Sequence, residues 1–424
     1  MKTKTLLLSI FLLTASFMAK GTEYVVFTSA DLLAKVTGAV DGDVIILGQS
    51  DSILSQTALA VTKRITVKAA SGLASKPQIK VGFLMKDLSS IRIEGIKFFY
   101  DKPATPQVNT DSKYGISAVL LSSIDSIKLI NCEASNFGRG LIRSDQASPA
   151  IATIKEIVID NCIISNVSSY SNTYATIGLK TAKVSKISIT NTTFLNGLSG
   201  VIYSEESATP LNFLMDHVTI FNCGKGGNKN IINFKSPVGS TFAVTNSIIY
   251  YSGLKAETAA TDTLLVKAID FSATLGGVGS LTLNNSIICP NQFLAKKNLL
   301  IAPASTSTSW ATYNLVTVDS LSMDANYKVT SYPTQLNTIG DPRGYKAGTG
   351  VNTVKNSSLS INVIGSEIMF SETANINIFS VTGQQVKSIQ NANLLSVANL
   401  PKGIYIVKAG TESKGYKVQK ITIK

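Results

Sequence analysis

A ten-residue pattern recurs through the middle of the chain and keeps its phase. One copy is Ile157-Val158-Ile159-Asp160-Asn161-Cys162-Ile163-Ile164-Ser165-Asn166. Thirty residues earlier stands Ile127-Lys128-Leu129-Ile130-Asn131-Cys132-Glu133-Ala134-Ser135-Asn136, and thirty later Ile187-Ser188-Ile189-Thr190-Asn191-Thr192-Thr193-Phe194-Leu195-Asn196. Further copies begin at Phe213, Phe242 and Leu281, and a degenerate early one reads Ile91-Arg92-Ile93-Glu94-Gly95-Ile96. Each has apolar residues two apart, a polar residue at a bend, then more apolar residues two apart. Period two marks a strand with one buried face. Seven copies spaced 26 to 39 residues apart point to a solenoid rather than a globule.

One such coil cannot bury its own apolar face, so it needs neighbours above and below. Stacking at ~4.8 Å per coil pairs every strand with its equivalent in the next. Asn131, Asn161, Asn191, Asn246 and Asn285 are then expected to form a column inside one bend, interrupted by His217. Asn136, Asn166, Asn196 and Asn222 form a second column at the next bend. Amides so placed hydrogen-bond along the stack at roughly 0.5–1.5 kcal/mol net each. Sandwich strands do not repeat an Asn at fixed phase. Over about residues 24–345 these units resemble the right-handed parallel β-helix of the pectate-lyase-like superfamily. The expected fold class is all-β: a right-handed parallel β-helix solenoid with an N-terminal cap, plus a small C-terminal β-sandwich.

The chain has 424 residues, 44% hydrophobic and 15% charged, ample for a large core. Lys2 and Lys4 precede the apolar run Leu6 to Leu13, and Ala19-Lys20-Gly21 offers small residues for cleavage. Residues 1–21 therefore read as a secretory signal peptide, too short for a membrane span, and no transmembrane segment is expected. Thr28 to Val36 reads as a short capped amphipathic helix. With the following Gly42-Asp43-Val44-Ile45 it resembles the N-terminal cap of β-helix proteins, which covers the exposed end of the core. Four cysteines are too few and scattered for a disulfide scaffold. Cys132 and Cys162 occupy equivalent repeat positions and either stack as small core residues or close a disulfide. With His217 the only histidine, a metal cluster is not expected. The formal charge of +13 suits either an acidic polymer or simple solubility. Dispersed lysines without interleaved aromatics argue against nucleic acid.

A third short strand lies between the Asn copies, in versions that align on Ile142, Ile177, Ile202 and Ile232. With those isoleucines inward, the residues one and three further on point outward. The first outward column is Arg143, Gly178, Tyr203, Asn233; the second is Asp145, Lys180, Glu205, Lys235. One reading is an exposed ladder of opposite charges that supports strand pairing at roughly 0.2–1 kcal/mol per pair. The other is a polar stripe that holds a sugar chain or a calcium ion. Lyases of the superfamily commonly carry their site on the equivalent strand, where acidic residues bind calcium and a basic residue abstracts the proton alpha to a uronate carboxyl. That resemblance makes Arg143 and Lys180 the candidate bases. Tyr203, Asn233 and Lys235 are candidate substrate contacts, and Asp145 with Glu205 the candidate calcium ligands. Glu205 and Glu206 face opposite sides of a strand and are not a hydrolytic pair. Asp145 and Glu205, near ~9.6 Å, match an inverting pair on spacing alone, but Lys180 stands where the water would be.

The clean repeat is lost after residue 301 and the region closes with Ile339-Gly340-Asp341-Pro342-Arg343. Residues 346–357 read as a polar linker, which leaves 22–345 as the solenoid. Beyond it, Ile376 to Val386, Leu400 to Lys408 and Lys417 to Lys424 are strands and turns of a small antiparallel sandwich. Gly383-Gln384-Gln385-Val386, Leu400-Pro401-Lys402-Gly403-Ile404-Tyr405 and the closing Lys417-Val418-Gln419-Lys420-Ile421 closely resemble the C-terminal sorting domain of the type IX secretion system of Bacteroidetes, over about residues 358–424. The resemblance implies passage across the outer membrane through that machinery, then removal of the tail and release or surface attachment. Signal peptide, divergent β-helix and sorting tail together resemble an uncharacterised Bacteroidetes family of pectate-lyase-like domains. The expectation is a secreted or cell-surface monomer acting on acidic polysaccharide, as a lyase on uronate-containing glycans such as pectin. The alternative is a non-catalytic glycan-binding or adhesin-like surface β-helix.

Overall fold

The computed structural model describes residues 21–50, 53–100, 114–119, 122–144, 151–167, 175–205, 210–224, 230–234, 239–250, 268–271, 280–288, 301–302, 311–315, 339–344, 359–364, 366–381, 384–411 and 415–423. The chain forms two compact units that divide between Lys346 and Ala347. The first is a parallel β-helix whose coils each contribute three strands. In the coil that contains the central repeat these are Ala152–Asp160, Ile163–Ser165 and Ile177–Leu179. The first strand pairs in parallel with Ser123–Ile130 before it and Ala182–Thr190 after it, and the register sets Ile157 against Ile127 and Ile187. The same column continues through Phe213, Phe242 and Leu281, and it is reached from Ile91. From Ile127 to Leu281 these six side chains are at most 2% exposed. Burial of each contributes roughly 1.5–3 kcal/mol, and only stacking supplies the covering surface.

The bend after the first strand explains the recurrent asparagine. Asn131, Asn161, Asn191, Asn246 and Asn285 all have φ between 46° and 55°, as does His217 at 54°. Gly95 takes the same place in the early coil at φ 70°. Left-handed backbone costs most residues roughly 1–2 kcal/mol, and Gly and Asn tolerate it best. Asn136, Asn166, Asn196 and Asn222 meet the same demand at the next bend, with φ from 52° to 62°. The asparagine side chains of the first bend lie at its solvent side. Asn161 Nδ2 donates to Asn131 Oδ1 at 3.3 Å and Asn285 Nδ2 to Asn246 Oδ1 at 2.7 Å. In between, a carboxylate substitutes: Asn191 donates to Asp160 and Asn246 to Asp216, at 2.9 and 2.8 Å.

The ladder inside the bend is made by the next residue along. Cys132, Cys162, Thr192, Val218, Ser247 and Ser286 are all buried. The backbone N–H of Cys132 donates to Cys162 Sγ, that of Cys162 to Thr192 Oγ1, that of Val218 to Ser247 Oγ and that of Ser247 to Ser286 Oγ. Each of these side chains except Val218 in turn donates to the carbonyl two residues before it, as Thr192 does to Thr190 and Ser247 to Thr245, both at 2.7 Å. Small side chains with one donor and one acceptor thus satisfy backbone groups that no strand can reach. Both Cys132 and Cys162 are free thiols, and burial pushes the Cys162 thiol well above its usual range.

The helix Ser29–Thr37 closes the N-terminal end. Thr28 caps it, accepting from the Asp31 N–H at 3.1 Å, and Leu32 and Val36 are buried. Asp43 is 1% exposed because its carboxylate accepts the N–H groups of Thr22 and Val40, which ties the turn to the first strand.

The second unit is one curled antiparallel sheet of Ile361–Ile364, Glu367–Ser380, Gln385–Ser396, Gly403–Thr411 and Gly415–Ile423. Its own core holds Ile368, Ile376, Ile378, Val407, Ala409 and Ile421. The expected signal peptide and the expected linker lie outside the described residues.

Candidate functional site

The third strands of successive coils stack in the register that their isoleucines imply. Ile142 pairs with Ile177, Ile177 with Ile202, Ile202 with Ile232, and Ile232 with Ile269. These five isoleucines are at most 1% exposed. Alternation along a strand then sends the following residue to the outer face. Arg143, Gly178, Tyr203, Asn233 and Asp270 form one column along the solenoid axis, preceded by Ser117. At about 4.8 Å per coil the span from Arg143 to Asp270 is about 19 Å.

The column is largely covered, with Arg143, Tyr203 and Asn233 7–8% exposed. The guanidinium carbon of Arg143 lies 3.9 Å from the centroid of the Tyr114 ring. Such a cation over an aromatic face is worth roughly 0.5–2 kcal/mol, more when desolvated. Arg139 donates to the Tyr114 hydroxyl at 3.2 Å, so one tyrosine meets a cation at its face and another at its hydroxyl. Further along, the Tyr203 hydroxyl donates to the Glu205 carboxylate. Asp270 Oδ2 accepts from Asn230 Nδ2 at 2.6 Å and from Asn233 Nδ2 at 3.4 Å. Gly178 interrupts the run of side chains between Arg143 and Tyr203. A Cβ built there would touch only the Ala175 carbonyl, at 3.8 Å. The column therefore has a cationic and aromatic end, a one-coil gap, and an amide and carboxylate end.

Of the residues singled out from sequence, Arg143, Tyr203 and Asn233 share this column, and Lys180 and Glu205 follow it in adjacent coils. Lys180 is exposed, and Glu205 is half-buried beneath the Tyr203 hydroxyl. Asp145 and Lys235 lie outside the described residues. Among the described residues, no three His, Cys, Asp or Glu side chains converge to hold a metal ion. Sequence reasoning passed over Asp270, Asn230, Tyr114 and Arg139. A signal for Asp270 was present: Ala268-Ile269-Asp270-Phe271 repeats the pattern of Ile231-Ile232-Asn233-Phe234 at a longer interval. Tyr114 and Arg139 carry no such signal, since neither occupies an outward position aligned with the column.

Residues 355–424 match the family model described as a secretion system C-terminal sorting domain. No curated protein matches the chain. The tail is that of the type IX system, and it makes this a protein secreted or held at the cell surface, exported by that machinery. Among the described residues no helix is long and apolar enough to cross a membrane.

Proposed function

We propose that the exported solenoid is a polysaccharide-active protein that takes an acidic, uronate-containing glycan along the outer face of its third strands. The observation that carries the reading is the register of Arg143, Gly178, Tyr203, Asn233 and Asp270, a polar column parallel to the axis with one gap at Gly178. A length of about 19 Å suits an extended polymer better than a small metabolite. Paired cations at Arg139 and Arg143 suit a carboxylate. The amides of Asn230 and Asn233 and the Asp270 carboxylate suit sugar hydroxyls. Lys235, the remaining candidate contact, would extend this set.

A second reading, cleavage by β-elimination, is favoured by the placement of Lys180. It is exposed and stands one coil from Arg143, beside the gap at Gly178. A base there would remove the proton alpha to the uronate carboxyl, the electron pair would form the new carbon–carbon double bond, and the glycosidic oxygen would leave. A calcium ion held by Glu205 and Asp145 would neutralise that carboxyl in the lyase reading. The alternative to cleavage is retention alone, as in a glycan-binding or adhesin-like surface protein.

The test is incubation of the exported protein with polygalacturonate and other uronate polymers, with calcium and with chelator, while following the ultraviolet absorbance of unsaturated products. Growth of that signal, abolished by Lys180→Ala, establishes the lyase. Retention on an acidic polymer, weakened by Arg143→Ala and without unsaturated product, establishes the binder. Neither retention nor product on any acidic polymer sinks the proposal.

A further inference from the structure

The segment Ile339-Gly340-Asp341-Pro342-Arg343 is remote in sequence from everything it touches. The Gly340 N–H donates to the Asn246 carbonyl at 2.6 Å. Asp341 donates its N–H to Thr219 Oγ1 at 2.9 Å, and its carboxylate accepts from Thr193 Oγ1 at 2.7 Å. The Arg343 guanidinium donates to the carbonyls of Asn161 at 3.0 Å, Asn191 at 3.1 Å, and Cys162. These partners belong to four successive coils, those that begin at Ile157, Ile187, Phe213 and Phe242. The strap therefore runs back along the solenoid, across the strands, over the left-handed bends.

Its chemistry suits that course. Asp341 is 1% exposed, and its carboxylate is met by Thr193, by the Arg343 backbone N–H at 3.0 Å and by the Arg343 guanidinium. The guanidinium spreads its remaining donors over bend carbonyls from two coils, a task for a planar fork rather than an ammonium. Gly340 sits at φ 87°, and a Cβ there would fall 2.6 Å from Thr219 Oγ1 and 2.8 Å from Ile248 Cδ1. Only glycine lets the backbone approach so closely.

In a solenoid each coil touches only its neighbours, so coils can open one at a time. The strap adds bonds that skip neighbours, between residues 94 to 182 positions apart. We propose that residues 339–344 are a clasp that closes only on four correctly stacked coils and makes those coils open as one unit. A slip of one coil would take the Thr193 and Thr219 hydroxyls away from Asp341 and the bend carbonyls away from Arg343, leaving buried polar groups unsatisfied, so the clasp also checks register.

Native-state hydrogen exchange of the full chain, read across a denaturant series, tests this. The expected result is one shared opening for the N–H groups of Gly340 and Asp341 and those of Asn161, Asn191 and Asn246. In Arg343→Met, exchange at the three bend amides should accelerate on the order of a hundredfold, with separate openings for separate coils. A strap that opens alone while the bend amides stay protected in the wild-type protein would overturn the proposal. So would unchanged bend exchange in Arg343→Met. Should that variant fail to fold, Thr193→Val removes one bond from the solenoid side and gives the same comparison at about a tenfold effect. The wild-type series decides the shared opening by itself.

Discussion

Cys162 donates its backbone N–H to Oγ1 of Thr192, one coil further along the solenoid, at 3.2 Å. The bond stitches two buried bends together at a point between two sheets. Loss of a buried acceptor leaves the N–H unsatisfied, which costs roughly 1–3 kcal/mol. Thr192→Val should therefore lower the unfolding free energy by about that amount, while Thr192→Ser should retain most of it. Urea denaturation of the three proteins checks the order.

Val218 holds the equivalent place one coil beyond Thr192, between Thr192 and Ser247 in the ladder, and is fully buried. Its methyl groups offer the preceding coil no acceptor. Val218→Thr should stabilise the protein by about 0.5–1.5 kcal/mol, because the new hydroxyl has a carbonyl two residues back to donate to and an N–H to accept. The usual Val-to-Thr change in a core is destabilising, so the sign of the change in thermal midpoint is the readout.

The bend asparagines supply backbone conformation as much as hydrogen bonds. Asn161, at φ 55°, should tolerate glycine and resist a β-branched residue. Asn161→Gly is expected within about 1 kcal/mol of wild type, and Asn161→Val at least about 2 kcal/mol below it. Equal losses in the two variants would mean that the amide, not the left-handed backbone, is what matters.

Asp216 is pushed up by burial but held below the usual carboxylate range by the Thr245 hydroxyl, His217 and the Asn246 amide, which outweigh it. A carboxyl depressed in the folded state stabilises above its unfolded pKa, near ~3.9, and that contribution is lost as the pH falls further. Glu156 acts in the same direction through Lys128 and Lys186. Stability should thus fall below about pH 4, and Asp216→Asn should flatten that acid limb while lowering stability at neutral pH. An acid limb unchanged in Asp216→Asn would remove Asp216 as its source.

In the tail, the Tyr405 hydroxyl donates to the Pro401 carbonyl at 2.8 Å, fastening the turn that opens the Gly403–Thr411 strand. Tyr405→Phe should destabilise the sorting domain by about 1 kcal/mol. The solenoid, with its separate core, should keep its own transition. Deletion of residues 355–424 should keep the protein from reaching the cell surface or medium, as fractionation would show.

Repetition at a fixed phase was sufficient, in the sequence alone, to establish stacked parallel coils. One-dimensional periodicity maps directly onto a structure in which each coil repeats the last, so the spacing of Ile127, Ile157 and Ile187 is by itself enough to stack them. The outward column of Arg143, Gly178, Tyr203 and Asn233 followed from the same register, and the tail declared itself by its local motifs. The tertiary structure alone decided what departs from the period. It placed Cys162, Thr192 and Ser247, not the asparagines before them, inside the bend, because the left-handed residue turns its side chain toward solvent. It set Tyr114 under Arg143 from outside the column. It also laid Asp341 and Arg343 over bends 122 to 182 residues away. No periodicity encodes such contacts, since they arise where a non-repeating segment meets groups that the repeat leaves unsatisfied.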